Sequence, residues 1–115
     1  MKDYKISDLS KLIEKFRDSR KWNISDNPKN LSMGISVEAN ELMNHFTWLD
    51  VDECWGASKN QEVFDEIADV FIGIISMTNM LNLDIYDIVE KKLKKLEVKY
   101  PEIDKVINKE DEQYV

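Results

Sequence analysis

Chain breakers are scarce in this 115-residue sequence: three Gly and two Pro, alongside a single Cys and a single His. So few turn formers leave little material for a many-stranded sheet, and apolar residues that recur at spacings of three and four predict an all-α protein. The lone Cys54 excludes an internal disulfide. With no charged-then-apolar leader at its start, the sequence is expected to work in a reducing, cytoplasmic setting. A long hydrophobic run is also missing. The longest apolar stretch, "VFIGIISMTNML", falls well short of the roughly 20 residues that a membrane span needs, so it reads as a buried helix and no membrane partner is expected. Basic excess is absent too: 16 Lys and Arg stand against 23 Asp and Glu, a net charge of −7 with pI near 4.7. That balance argues against binding a nucleic acid polymer, which depends on a basic surface that displaces counterions. If the ligand is a nucleotide, something must first offset the negative charge.

What is present fits one small domain. A mass of 13.6 kDa with 43% hydrophobic residues supports one modest core, so self-association is expected. A first helix is read from Ser7 to Trp22, with Leu9, Leu12, Ile13 and Phe16 on one side. "NISDNPKN" breaks it, because Pro28 and its neighbouring Asn residues favour a turn. A second helix covers 30–49, and "DVDECWGASKN" reads as a loop. Ser58, with Gln61 three residues on, resembles a capping box that opens a third helix running to Leu81. Asp84 then caps a fourth helix, which Pro101 ends near Tyr100. With no repeat or linker, residues 1–101 are expected to form one four-helix bundle, and residues 102–115 a tail, frayed or docked on a partner subunit.

The second helix carries an oddity. In "SVEANELMNHFTW" two glutamates sit three apart in an otherwise apolar segment. At 100° per residue, Leu31, Ile35, Leu42, Phe46 and Leu49 form a core stripe. Glu38 falls beside that stripe with Gly34, Glu41 and His45, bounded on the far side by Val37 and Trp48. The third helix repeats the pattern: Val63, Ile67, Val70, Ile74 and Leu81 form a stripe, and Glu66, Asp69, Gly73 and Ser76 a polar strip beside it. Carboxylates three apart lie about 60° apart and one turn along, so each pair can reach a common point. Four such charges on the inside edge of a bundle repel one another and resist desolvation unless cations intervene. An all-oxygen set suits Mg²⁺ or Mn²⁺. A ferritin-like di-iron site is disfavoured, because it needs two Glu-x-x-His motifs and the chain has one histidine.

These residues resemble the MazG-like, all-α nucleoside triphosphate pyrophosphohydrolases, whose signature is ExxE, a spacer and ExxD. Here it reads "EANE" (Glu38, Glu41) and "EIAD" (Glu66, Asp69). "FRDSRKW", "NPKNL", "DEIADVFIGI" and "KLKKLEVKYP" follow the order and spacing of small single-domain, dCTP-pyrophosphatase-like members over residues 12 to 101. The resemblance implies Mg²⁺ held by Glu38, Glu41, Glu66 and Asp69. It also implies cleavage between the α- and β-phosphates, a pool-cleaning role, and homodimers or homotetramers whose subunits complete the site. The chain departs from the pattern at Asp26, Gly73 and Leu96, positions that leave the preferred base open, and at Asn44, which replaces a commonly acidic position one turn past Glu41.

Within that frame, a water attacks the α-phosphorus in line, with Glu38 as its favoured base and Glu41 next, because Glu38 lies nearer the apolar stripe. Lys92, Lys95 and Lys99 share one face of the fourth helix and suit phosphate contacts, as do Lys29 and Asn30 at the turn. Trp48 is placed to stack on a base. Trp22 and Trp55 read as packing or interface residues, His45 as a packed residue, and Arg20 as a partner for excess acid. The expected substrate is a deoxynucleoside triphosphate. The rival reading is a helical nucleotide-sensing or oligomerisation module of the same fold without turnover.

Overall fold

The computed structural model describes residues 3–103; the expected tail from 104 onward lies outside them. Among the described residues there is no strand, and six helices follow one another: α1 (Ile6–Ser19), α2 (Trp22–Ser25), α3 (Pro28–Asn44), α4 (Val51–Ala57), α5 (Gln61–Met80) and α6 (Ile85–Lys99). The all-α expectation holds, with two short helices added to the four long ones. No single described helix is long and apolar enough to cross a membrane.

Local chemistry explains each boundary. Lys21 takes a left-handed conformation, φ 60°, so α1 stops at Ser19 instead of reaching Trp22, and α2 starts afresh. Pro28, expected as a breaker, instead opens α3. Its fixed φ and missing N–H suit the first turn of a helix, and the Asn27 side chain accepts from the Asn30 backbone N–H at 2.9 Å. The stretch read as a loop contains α4. There Asp50 accepts from the Glu53 N–H at 2.8 Å, and Glu53 accepts from the Asp50 N–H at 3.1 Å, a reciprocal capping box. Ser58 therefore does not start the next helix. It ends α4, donating its hydroxyl to the Trp55 carbonyl, and Asn60 caps α5. Asp84 caps α6 as expected, accepting from the Tyr86 N–H at 2.9 Å.

The chain divides into two compact units, one up to Asn82 and one from Leu83. In the first, α3 and α5 are the principal packed pair, and α1 rests on α5. Its buried hydrophobics are Ile13, Leu31, Val63 and Ile75, of which Ile75 is fully enclosed. The Ser10 hydroxyl of α1 donates to Asn79 Oδ1 of α5 at 2.8 Å. Arg17 is buried and fastens the α1–α2–α3 corner: Nη2 pairs with Asp26 Oδ2 at 2.7 Å while Nε donates to Asn23 Oδ1 at 2.9 Å. Arg20, expected to pair with acid, instead lies with its guanidinium 3.5 Å from the centroid of the Phe16 ring and donates to the Phe16 carbonyl.

The expected apolar stripes are covered only in part. Of the α1 set, Ile13 is buried, while Leu9, Leu12 and Phe16 stay exposed and line an open groove of about 370 Å³ with Ala68, Phe71 and Ile72. Ile67 on α5 and Leu81, just past its end, are exposed as well. In the second unit, α6 holds Lys92, Lys95 and Lys99 on exposed positions.

Candidate functional site

Two contacts set the relation of α3 to α5. Ile35 lies against Gly73, and Glu41 lies beside Glu66. As the residue number rises along one helix it falls along the other, so the pair is antiparallel, and the acidic strips face one another layer by layer. Glu38 and Glu41 come from successive turns of α3, and Glu66 meets them from α5. One carboxylate oxygen from each of the three lies within 4.8 Å of the others.

Asp69 stands outside that group, though its charge reaches both Glu38 and Glu66. The expected quartet is thus a tight trio with a fourth acid at its edge. His45, half-buried at the C-terminal end of α3, faces the same cluster: its charge favours ionised Glu66. The helical wheel puts His45 on the acidic strip, but only packing reveals its proximity to α5.

The trio is electrostatically loaded. Burial pushes the Glu38 carboxyl above its usual range, and contact with Glu41 and the charges of Asp69 and Glu66 raise it further. Glu66 is raised by burial first and then by Glu41. Glu41 lies within hydrogen-bonding reach of both, an interaction open to two carboxyl groups only when one is protonated. Among the described residues no lysine or arginine forms an ion pair with these acids; the two ion pairs are Arg17–Asp26 and Lys94–Glu90.

Glu38 Oε2 and Glu66 Oε2 are shielded from solvent and have no hydrogen-bond partner. Buried carboxylate oxygens without a donor call for a proton or a cation. The donor set therefore fits a metal ion. Its all-oxygen character suits hard divalent ions.

The other sequence candidates are spread out. Lys29 and Asn30 occupy the first turn of α3, about 13 Å before Glu38 along the helix axis at roughly 1.5 Å per residue. Trp48 lies beyond the end of α3, which stops at Asn44 rather than 49, so the wheel position that bordered Glu38 does not apply; its side chain is 90% exposed. Lys92, Lys95 and Lys99 all belong to α6, where the Lys99 ammonium lies 5.2 Å from the centroid of the Tyr100 ring.

Comparison with known proteins places this architecture. A crystal structure of a pyrophosphatase from Archaeoglobus fulgidus matches with a TM-score of 0.80 and 33% identity, covering 89% of this chain and 97% of that one. The dCTP pyrophosphatase 1 proteins of Mus musculus and Rattus norvegicus are each 24% identical over 100 residues, 84% of this chain. The chain spans 59% of the length of these curated relatives. The MazG-like family model matches residues 33–113, a span that holds both acidic pairs. With facing ExxE and ExxD helices inside that span, the chain belongs to the MazG-like family.

Proposed function

We propose that this chain is a metal-dependent nucleoside triphosphate pyrophosphohydrolase. It cleaves a nucleoside triphosphate between the α- and β-phosphates, giving a nucleoside monophosphate and pyrophosphate, and so serves nucleotide-pool house-cleaning. One observation carries the reading: three carboxylates from two facing helices converge within 4.8 Å, and two of their oxygens are shielded and unpartnered. The relatives named dCTP pyrophosphatase support a deoxynucleotide substrate.

When bound, a divalent ion, Mg²⁺ or alternatively Mn²⁺, offsets the substrate's charge and polarises its phosphoryl oxygens. Glu38, Glu41 and Glu66 would hold it, with Asp69 completing the negative field. Glu38 orients a water for in-line attack and takes its proton as the new bond to the α-phosphorus forms and the bond to the bridging oxygen breaks. Pyrophosphate leaves carrying the released electron pair. Glu41 bridges the two helices and is the second candidate for the base. Lys92, Lys95 and Lys99 are assigned to the phosphates and Lys29 and Asn30 to the same role, with Trp48 offering an exposed ring for the base.

The working unit is a homodimer or homotetramer. Support comes from the open apolar groove on α1 and α5, whose side chains an isolated chain leaves in water at a cost of roughly 25 cal/mol for each Å².

The test is pyrophosphate release from a panel of ribo- and deoxynucleoside triphosphates, with and without Mg²⁺. Release is expected only with metal, and Glu38→Gln is expected to lower it by a factor of roughly 10² to 10⁴, the usual worth of a positioned base. Nucleotide binding without release under every condition supports the rival, a sensing module of the same fold.

A further inference from the structure

A glycine inside a helix is locally unfavourable, and Gly73 sits well within the 20 residues of α5. It is there for a steric reason. A Cβ built at Gly73 would meet Ile35 Cγ1 at 2.8 Å and Cδ1 at 3.7 Å, and carbon atoms that are not bonded settle at about 3.5 to 4.0 Å. Gly34 and Gly56 differ: nothing stands within 4 Å of a Cβ at either. Close approach at Gly73 is therefore a feature of the α3–α5 contact and not of glycines in this chain generally.

That contact is next to the acidic site. In the antiparallel register Ile35 lies one turn before Glu38 on α3, and Gly73 lies one turn after Asp69 on α5. The following layers are Glu38 with Asp69, and then Glu41 with Glu66. Whatever separates the helices at Ile35 and Gly73 also separates the acids.

We infer that Gly73 is a positioning residue for the acidic site: by leaving room for Ile35, it holds α3 and α5 close enough for Glu38, Glu41 and Glu66 to share one divalent ion. The inference rests on the metal reading above. A methyl group at position 73 requires Ile35 Cγ1 to give way by about 1 Å to restore ordinary contact, and a β-branched side chain with few open rotamers passes much of that shift to α3. Metal sites tolerate deviations of only about 0.2 Å in ligand distance, so a displacement of that size one layer away is large on the scale that matters.

The experiment is a double-mutant cycle read by Mn²⁺ affinity, from electron paramagnetic resonance of free Mn²⁺, with circular dichroism to confirm folding. Gly73→Ala is expected to weaken Mn²⁺ binding by at least about tenfold, in line with losses on disturbing groups that support metal ligands. In an Ile35→Ala background, where Cγ1 and Cδ1 are gone, the same substitution is expected to cost less than about twofold, because the remaining Ile35 Cα neighbour stands at 3.9 Å. Gly34→Ala is the matched control on the facing helix and should leave affinity unchanged.

An equal loss in both backgrounds, no loss in Gly73→Ala, or an equal loss in Gly34→Ala overturns the proposal. If Gly73→Ala does not fold, the comparison moves to Ile35→Val, which keeps both γ carbons and so the close contact, but without Cδ1 can turn that contact aside more easily. Gly73→Ala/Ile35→Val is then expected to bind Mn²⁺ more weakly than Ile35→Val alone, and equal affinity overturns the role. Uptake of Mn²⁺ by Glu66→Gln as strong as that of the unsubstituted protein is a different failure. It refutes the metal reading, and the role of Gly73 with it.

Discussion

Glu38 and Glu66 hold their protons more tightly than free glutamates because burial and the neighbouring acids disfavour the charged form. The consequence for stability has a definite sign. A carboxyl whose pKa is raised on folding stabilises the fold while protonated, fully below its unfolded value near 4.5, and that contribution is lost as pH rises through the raised folded value. Metal-free protein is therefore expected to lose thermal stability as pH rises from about 4.5 toward neutrality, and Mn²⁺, which binds carboxylates in their charged form, should restore it at neutral pH. Glu66→Gln should flatten that slope in the presence of a chelator and abolish the metal response. Thermal unfolding at several pH values checks both, and an identical slope in Glu66→Gln would remove Glu66 as its source. Arg17 makes a second prediction at this scale. Its pair with Asp26 is largely out of solvent, with side-chain exposures of 10% and 21%, so Asp26→Asn leaves a buried cation short of its partner. The expected loss is about 3 kcal/mol, the low end for broken buried pairs, or on the order of 10 °C in Tm.

At the scale of elements, helix starts depend on short-range hydrogen bonds and can be tested one at a time. Asn60→Ala should cost about 1 kcal/mol by removing the acceptor for the Glu62 N–H, while Ser58→Ala should cost a few tenths at most. Chemical denaturation measures the difference, and the reverse order would restore Ser58 as the cap. Some of these boundaries are legible in the residues themselves. Asp84 is readable as a cap because its acceptor acts two residues away. The Asp50-x-x-Glu53 box carries the same kind of signal, hidden inside a polar stretch that reads as a loop. The end of α1 is less accessible: Lys21 is left-handed in a corner where Arg17 reaches Asn23 and Asp26, and no pattern in residues 7–22 announces such a bend.

For the molecule as a whole, the open groove beside Leu12 and Phe16 predicts self-association. Light scattering should give a mass two or four times 13.6 kDa, and Leu12→Glu should shift the population toward monomer; a monomer at every concentration would remove the oligomeric part of the proposal. The amino-acid sequence by itself determined the all-α class, the existence of the four long helices and the pairing of Glu38 with Glu41 and of Glu66 with Asp69. Those features follow from a repeat of about 3.6 residues, a property of one helix at a time. Tertiary structure alone decided that Glu41 meets Glu66, that Asp69 stays at the edge of the trio and that Gly73 admits Ile35. Distances between helices are set by the side chains wedged where they touch, and those contacts join residues far apart in the chain.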